Sequence, residues 1–527
     1  MLGVIEQEVM MTATSGEQAA VDRDGVPHYR MFIGGEWVES AEIIPVVNPA
    51  TEEVVCTVAR ADTSHVDAAV AAAKRTHESG VWRNTAPGER AAVIDRVIAA
   101  LSARMDELAV LSSRETGMPV RVAGAIGVGF PIVHLGHYAE LTRTYEWERS
   151  GPVTGQVLSA SFIRKEPLGV CAGIVPWNFP ALIAVWKSIP ALAAGNTVVL
   201  KTDEKTPIFA LELAAILRDA GLPDGAYNVV VGDGPTVGGH LVKHPDVRLV
   251  SFTGSTATGR QVMADAAANV KKVLLELGGK GPNIVLDDAD LDVAVDGSIY
   301  AFLLHAGQAC ESGTRLLLPA SIHDEFVTRL IERLKTLKIG NPLDPATDIG
   351  AVMGKTQHER ILGYIEKGKA EGATVAYGGG VPSGDEFGKG YWVQPTVFTG
   401  VSNDMCIARE EIFGPVLSVL KYDSVEEAIK IANDTEYGLA AAVWSRDNQR
   451  AIEVARQIEA GSVWVNDYHN ISQYLPFGGY KQSGTGRELG PGALDEFTQD
   501  KGITVDLSGD VSRRAYGLVL GTPPAAN

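Results

Sequence analysis

Three side chains in the middle of the sequence have the types that acyl-transfer chemistry uses, and the first is a thiol. Cys310 lies in the stretch 305–314, where an apolar helical run gives way to a polar turn flanked by glycines. A thiol at such a junction is accessible and open to electrostatic activation, as an attacking thiolate requires. A lone cysteine is more commonly a small buried hydrophobic residue, and we apply that interpretation to Cys56, Cys171 and Cys406.

The other two side chains are a carboxylate and an amide. Glu276 follows the apolar run 273–275 and precedes two glycines, so in a partly desolvated cleft it would have a raised pKa and act as a general base toward a thiol or water. The alternative is a surface glutamate at a strand end. Asn178 lies in the stretch PWNFP, which would aim its amide rigidly at a developing oxyanion. Spacing alone fits a cap for a helix from Ala181 equally well.

Small residues at two strand-to-helix junctions suggest phosphate binding. The loops 232–238 and 253–256 are rich in glycine, serine and threonine. Glycine lets backbone amides approach a phosphate, and a helix that begins there adds partial positive charge. The first loop is spaced GxGxxxG and misses the usual dinucleotide fingerprint, so an ordinary turn remains the alternative.

Lys201 and Glu204 follow a strand that ends at Leu200, where a ligand over the sheet edge is within reach. Lysine donates to ribose hydroxyls, whereas a carboxylate accepts from the 2′ and 3′ hydroxyls and opposes a 2′-phosphate. This pair favours NAD over NADP. The alternative is a solvated surface pair.

The elements that would position these groups form two α/β series. Strand and helix alternate between about residues 169 and 280, and such alternation predicts a parallel sheet with crossover helices and ligands at the carboxyl ends of the strands. The strands of the first series are predicted at 198–200, 229–231 and 247–252, with helices from Pro207 and near Pro235. The second series has strands at 284–286, 316–318 and 462–465 and a helix at 322–337. Before them, a turn at 34–35 separates two short strands, and helices are predicted at 64–80 and 87–116.

Composition restricts the classes of protein to which the chain can belong. The chain has 527 residues, 45% of them hydrophobic and 21% charged, which indicates a globular protein of several domains. Its 46 basic and 65 acidic residues give a net charge of −19, so nucleic acid and a membrane surface are not expected as partners. No uninterrupted apolar run approaches the ~20 residues of a membrane span. The four cysteines form no CxxC pair and no metal knuckle, which predicts no metal site and a reducing, cytoplasmic location.

Seven segments in order resemble the aldehyde dehydrogenase superfamily, in its NAD(P)-dependent, non-acylating branch. They are PWNFP (176–180), KTDEKTP (201–207), FTGST (252–256), ELGGK (276–280), GQAC (307–310), EEIFGP (410–415) and PFGGYKQSGTGRELG (476–490). The resemblance covers about residues 31 to 505. It implies two doubly wound Rossmann-like α/β domains and a small β oligomerisation element.

The domain bounds predicted with this resemblance are as follows. Residues 1–28 form a mobile tail, 29–145 and 167–279 the NAD-binding domain, 280–480 the catalytic domain, and 146–166 with 494–508 the oligomerisation element. The last element implies a homodimer or homotetramer.

The resemblance also implies roles in catalysis. Cys310 corresponds to the nucleophile, Glu276 to the general base, and the Asn178 side chain with the Cys310 backbone amide to the oxyanion hole. Glu488 and Lys187 would form a proton path behind Glu276. The reaction implied is thiolate attack on an aldehyde, hydride transfer to NAD, and hydrolysis of the resulting thioester.

For the cofactor, the resemblance assigns Lys201 and Glu204 to the adenosine ribose, Ser255 to the pyrophosphate, and Glu411 with Phe413 to the nicotinamide riboside. Further contacts implied are Ile174, Pro176, Trp177, Gly234, Phe252, Gly254 and Leu277. Thr202 and Asp203 depart from the common pattern after the lysine, so NADP stays open beside NAD.

The residues implied for the substrate pocket are largely apolar. They are Phe179, Trp186, Ala309, Glu311, Ile471 and Phe477, with Tyr468 and His469 nearby. Without an obvious arginine pair to hold a carboxylate, this set favours an apolar or aromatic aldehyde. The alternatives are a CoA-acylating semialdehyde dehydrogenase, a cysteine-dependent esterase without a redox cofactor, and a binding protein that retains the fold.

Overall fold

A computed structural model of the chain describes residues 19–151, 159–509 and 514–521. Its strands form four sheets of eight, seven, four and three strands. In chain order the strands are β1 (Ala20–Arg23), β2 (Val26–Tyr29), β3 (Met31–Ile33), β4 (Glu36–Val38), β5 (Ile43–Val47), β6 (Val54–Ala59), β7 (Glu148–Ser150), β8 (Ser159–Pro167), β9 (Val170–Ile174), β10 (Thr197–Thr202), β11 (Tyr227–Val231), β12 (Val247–Thr253), β13 (Lys272–Glu276), β14 (Pro282–Val285), β15 (Arg315–Pro319), β16 (Thr374–Tyr377), β17 (Thr396–Thr399), β18 (Val416–Tyr422), β19 (Ala440–Trp444), β20 (Ser462–Val465), β21 (Gly484–Thr485) and β22 (Thr498–Asp506).

The eight-stranded sheet has the order β21-β13-β12-β9-β10-β11-β3-β4, and its five central strands, β13 to β11, are parallel. Every residue of β9, β10 and β11 is buried, as β-branched runs in a sheet covered on both faces should be. Val198 and Leu200 pack in one apolar cluster and Val199 in another, because successive side chains point to opposite faces. The helices of this part are Thr63–Ser79, Pro87–Ala103, Met105–Thr116, Val120–Val122, Phe130–Thr144, Pro180–Ala193, Ile208–Asp219, Gly239–Lys243 and Thr256–Ala267, and a π-helical stretch, Ala123–Gly129, joins the fourth to the fifth.

The seven-stranded sheet has the order β16-β17-β18-β15-β14-β19-β20. All its neighbouring strands are parallel except β16, which pairs antiparallel with β17. Its helices are Leu291–Leu303, His323–Leu334, Gly354–Ala370, Cys406–Arg409, Val425–Asn433 and Asn448–Ala455. Two parallel sheets with crossover helices confirm the predicted α/β fold class.

The two smaller sheets are antiparallel or mixed. In the order β22-β8-β7, strand β22 pairs with β8 over its whole length, from Thr498 opposite Pro167 to Asp506 opposite Ser159. Residues 152–158, which follow β7 in the sequence, lie outside the described residues. The other small sheet, β1-β2-β6-β5, was not predicted. The domain bounds stay a prediction, although β21 joins the eight-stranded sheet from outside the ranges assigned to the NAD-binding domain.

Two predictions for the N-terminal part were wrong. Residues 1–18 of the predicted mobile tail lie outside the described residues, but β1 and β2 occupy much of 19–28 and pair with each other. The predicted helix 87–116 is two helices, because Arg104 leaves helical geometry at φ −112° and ψ 16°. Its guanidinium is held there by Glu107 and Glu212.

One helical run, Val120–Thr144, is long and apolar enough to cross a membrane by length and composition. The run is not uninterrupted in its apolar residues, because Arg121, His134 and His137 lie within it. Of its most apolar window, 44% is buried inside the protein, and the run packs against the helices Pro87–Ala103 and Pro180–Ala193. Length and composition alone therefore do not assign it to a membrane.

Candidate active site

Cys310 follows a strained turn. The helix Leu291–Leu303 ends in a short 3₁₀ segment in which His305 and Ala306 have φ of 51° and 53°, values that residues other than glycine adopt only at a cost. Gly307 continues the turn at φ 72°, and a Cβ there would lie 2.3 Å from the Gly414 carbonyl oxygen. The turn thus packs the cysteine loop directly against the loop that carries Glu411 and Phe413.

Glu276 ends β13 and lies beside the cysteine loop. A Cβ on Gly279 would come within 2.3 Å of the Cys310 carbonyl oxygen, so the glycine pair of ELGGK permits this close approach. Glu276 is 3% exposed and its Oε2 has no hydrogen-bond partner among the described residues. Burial raises its pKa well above the ordinary value, against the opposing charge of Lys187. The alternative interpretation as a surface glutamate was wrong.

Lys187 and Glu488 form an ion pair behind Glu276. The Lys187 Nζ lies 2.6 Å from the Glu488 Oε1, and both side chains are inaccessible to solvent. Burial raises the pKa of Glu488, and the lysine opposes the rise. The second oxygen of Glu488 has no partner among the described residues. Lys187 therefore acts on two buried carboxyls that lack a full set of hydrogen bonds.

Asn178 directs its amide at the cysteine loop. Its Nδ2 donates to the Gln308 carbonyl oxygen at 2.9 Å. The N-cap of the helix Pro180–Ala193 is Phe179, and no side chain caps it. The interpretation of Asn178 as a helix cap was wrong. Its NH₂ group instead lies against backbone two residues before Cys310, where it can polarise an oxygen bound at the thiol.

The predicted pocket residues surround the thiol with apolar surface. Phe179, Trp186, Ala309 and Phe477 belong to one buried apolar cluster, and both Cys310 and Ile471 pack against it. The Trp186 and Phe477 rings are 5.3 Å apart between centroids, and the Phe179 ring is 5.5 Å from the His305 ring.

Glu311 is the charged residue of this set. Its Oε2 lies 3.3 Å from the Cys310 Sγ, and its Oε1 lies 3.0 Å from the Nδ1 of His469. Sequence reasoning named both residues but missed the pair. They are 158 positions apart, and the only signal was that two ionisable side chains stood in an otherwise apolar set.

The predicted cofactor residues gather at one edge of the eight-stranded sheet, because the carboxyl ends of parallel strands meet there. Lys201 lies near the end of β10 and is 5% exposed, so the solvated-surface interpretation was wrong for it. Burial lowers its pKa, against the carboxylates of Asp203 and Glu204. Glu204 is half-buried, and no salt bridge joins the two side chains in the described part of the chain.

The other residues predicted for the cofactor flank this edge. Ser255 is exposed and caps the helix Thr256–Ala267, where its Oγ accepts from the Thr258 amide at 3.2 Å. The remaining members follow or end neighbouring strands: Ile174, Pro176 and Trp177 at β9, Gly234 after β11, Phe252 and Gly254 at β12, and Leu277 after β13.

Glu411 and Phe413 reach the same edge from the catalytic side. The Glu411 Oε1 accepts from the Gly279 amide at 3.1 Å, and burial raises the pKa of Glu411 to about 7. The Phe413 ring stands edge-on to the Trp177 ring, with centroids 5.3 Å apart. Phe413 also has a left-handed φ of 62°, a strain of the kind that collects at binding sites.

The four thiols differ in their surroundings. Burial raises the pKa of Cys310 well above its ordinary value, and the neighbouring carboxyl of Glu311 raises it further. Cys56 and Cys171 are buried, and burial likewise raises their pKa values, while that of Cys406 rises to about 11. In the part of the chain that the structure describes, no group of three or more His, Cys, Asp or Glu side chains is arranged to hold a metal ion.

Comparison with known proteins finds a matching family and similar proteins. The model described as "Aldehyde dehydrogenase family" matches residues 37–503. The human protein named mitochondrial aldehyde dehydrogenase is 42% identical over 91% of this chain and 92% of its own length. A betaine aldehyde dehydrogenase of Mesorhizobium japonicum is 44% identical over 91% of this chain and 98% of its own.

Solved structures agree with these relatives. Betaine aldehyde dehydrogenase from Staphylococcus aureus in complex with NAD+ superposes with a TM-score of 0.89 at 39% identity, covering 92% of this chain and 96% of the other. The NAD+ complex of an aldehyde dehydrogenase from Bacillus cereus gives a TM-score of 0.88 at 42% identity, covering 91% and 96% of the two chains.

Proposed function

The chain belongs to the aldehyde dehydrogenase family, and from this premise we propose that it oxidises an apolar or aromatic aldehyde. NAD-dependent oxidation of an aldehyde is the activity that the family and its NAD+ complexes establish. The observation that carries the substrate proposal is the apolar cluster of Phe179, Trp186, Ala309 and Phe477, against which Cys310 packs. Burying an apolar substrate there stabilises the complex by about 25 cal/mol for each Å² removed from water.

The residues at the sheet edge fit a dinucleotide. Lys201 is a buried lysine at the carboxyl end of β10, with no hydrogen bond to its Nζ among the described residues, and a ribose hydroxyl would satisfy it. Glu204 lies within the same loop and supports NAD over NADP, since a carboxylate opposes a 2′-phosphate. NAD, when bound, supplies the acceptor for the hydride that leaves the substrate carbon.

In the proposed mechanism Cys310 attacks the aldehyde carbon. The S–H bond breaks and its proton leaves to water, a C–S bond forms, and the carbonyl oxygen becomes an oxyanion in a thiohemiacetal. Asn178, whose amide already faces the cysteine loop, would donate to that oxygen with the Cys310 backbone amide. After oxidation the substrate is held as a thioester on the sulfur.

Glu276 would then release the acid. A buried carboxyl with a raised pKa suits a general base, because its basicity lies closer to that of the water it must deprotonate. Hydroxide from that water displaces the sulfur from the acyl carbon, and the proton passes to Glu276. Lys187 and Glu488 lie behind it and support a path for the proton to leave.

A panel of aldehydes tests the substrate proposal. Hexanal and benzaldehyde should give higher kcat/KM than succinic semialdehyde and betaine aldehyde, read by NADH and NADPH formation in parallel. Betaine aldehyde belongs in the panel because several relatives carry that name. Faster turnover of either charged aldehyde would overturn the substrate proposal and leave the aldehyde dehydrogenase activity intact.

Further assays of the same protein distinguish the alternative activities. Adding CoA should leave the product as free acid, because Glu276 favours water as acceptor. Hydrolysis of an ester with no oxidation of any aldehyde would select the esterase alternative instead. Cys310→Ala should abolish every one of these reactions.

We also propose that the protein is a homodimer or homotetramer in the cytoplasm. Strand β22 is largely exposed and leaves an unpaired edge, with Ile503 37% and Val505 40% exposed, and such edges are commonly covered by a partner. Sedimentation that gave a stable monomer at micromolar concentration would contradict the assembly. Four unpaired thiols support a reducing compartment, which cell fractionation can test.

A further inference from the structure

An ion pair beside Cys310 has no role in the mechanism above. The Glu311 carboxylate bridges the Cys310 Sγ at 3.3 Å and the His469 Nδ1 at 3.0 Å. The two side chains are closed off from solvent, with 1% of His469 and 6% of Glu311 exposed. Burying the Glu311 carboxylate costs desolvation free energy, which its close contact with His469 offsets.

His469 has an oxygen atom facing each ring nitrogen. Its Nδ1 faces the Glu311 carboxylate, and its Nε2 lies 3.1 Å from the Ala301 carbonyl oxygen, which can only accept. Burial raises the pKa of Glu311, but the hydrogen bond and charge of His469 outweigh it and bring the pKa below its ordinary value.

An ionised carboxylate has no proton to give, so the Cys310 S–H must donate to Glu311. This hydrogen bond exists only while the sulfur carries its proton. Once the thiolate forms, two negative groups face each other across the same distance. We infer that Glu311, anchored by His469, is a positioning residue that orients the Cys310 thiol and holds it protonated in the free enzyme.

The other ionisable groups near the pair do not replace it. Cys310 also faces the carboxyls of Glu276 and Glu411, but burial raises the pKa values of both and favours their neutral forms. Glu311 is faced by the phenols of Tyr300 and Tyr468, whose pKa values burial raises. Glu311 is thus the charged neighbour of the sulfur.

The test is the pH dependence of Cys310 alkylation by iodoacetamide, measured on the full chain by mass spectrometry of the Cys310 peptide. Glu311→Gln removes the charge and keeps the shape. We expect the midpoint of the rate profile to fall by about one pH unit, which makes alkylation about tenfold faster below the midpoint. Glu311→Asp, which keeps the charge, should lie closer to the wild-type midpoint.

Ser312→Ala is the matched control. Ser312 is 4% exposed on the other side of Glu311 and carries no charge, so its loss should leave the midpoint unchanged. Should Glu311→Gln fail to fold, Glu311→Ser removes the charge without a bulky amide and should show the same fall. An unchanged midpoint in a folded charge-removing variant, or a raised one, would overturn the inference. The assay uses neither aldehyde nor NAD, so its result is independent of the proposed substrate.

Discussion

Two buried ionisable side chains, one from each parallel sheet, differ in how completely they are hydrogen-bonded. Arg315 begins β15 in the seven-stranded sheet, is fully buried, and donates to four acceptors. These acceptors are the Lys280 carbonyl, the Asn403 side chain, the Ile431 carbonyl and the Ala432 carbonyl. Glu276 ends β13 in the eight-stranded sheet and leaves its Oε2 without a partner in the described part of the chain.

This difference distinguishes a buried group that stabilises the fold from one that is available for catalysis or binding. A buried ion whose hydrogen bonds are complete holds elements together, and its removal leaves buried acceptors unsatisfied. A buried ionisable group with bonding capacity to spare is costly to the fold and persists where a ligand or a reacting atom completes its hydrogen bonds. Each prediction below changes a buried group of one kind or the other.

The largest effect is expected at the catalytic carboxyl. Glu276→Gln keeps the shape but cannot take a proton from water, so steady-state turnover should fall by about 10²–10⁴-fold. NADH formation with a good aldehyde measures the loss, and an apparent Tm no lower than that of the wild type shows that the fold survives. Wild-type turnover in this variant would remove Glu276 from the mechanism.

Arg315 should respond in the opposite sense. Arg315→Met leaves four acceptors without their donor and should lower the free energy of unfolding by about 3–5 kcal/mol. The apparent Tm should drop while the folded fraction keeps the wild-type KM. Arg333→Met is the control, because its half-exposed ion pair with Asp296 contributes about 1 kcal/mol at most. Equal losses of stability in Arg315→Met and Arg333→Met would contradict the structural role given to Arg315.

A smaller effect is expected at the cofactor edge. Lys201→Ala removes a donor proposed for the ribose, so NAD binding should weaken by about tenfold. Fluorescence titration or calorimetry measures the Kd. Lys205→Ala, an exposed neighbour in the same loop, should bind NAD as the wild type does. The reverse order of effects would move the ribose site away from Lys201.

The smallest effect is a pH dependence of stability. The folded pKa of Glu276 lies above its ordinary value of 4.5, so the folded state holds this proton more strongly than the unfolded state does. The stability that this contributes is present below that value and is lost as pH rises through the folded pKa. Glu276→Gln has no such proton to lose, so its apparent Tm should gain on that of the wild type as pH rises above 4.5. A difference that stayed flat with pH would contradict the assigned direction.

Much of the fold and of the candidate site could be predicted from the sequence. Alternating β-branched runs and helices predicted the parallel sheets, because period and turn residues are local properties. The segments PWNFP, ELGGK and GQAC predicted which side chains meet, and the structure brings Asn178, Glu276 and Cys310 to one site.

What the sequence could not predict depends on distant contacts. Nothing local marks Glu311 and His469 as a pair, since only the fold brings them within 3.0 Å. The break at Arg104 was hidden because the flanking helices share one apolar pattern, and its cause is a contact with distant Glu212. The completeness of the hydrogen bonds around Arg315 is likewise a property of packing, and no spacing of residues in the sequence predicts it.

The most direct test of the account is a single turnover of Glu276→Gln with NAD and a good aldehyde. If Cys310 is the nucleophile and Glu276 releases the acid, about one NADH per subunit should form in a burst. The acyl group should then remain on the Cys310 peptide, seen as its added mass. A full burst with no adduct, or an adduct on another residue, would contradict the account.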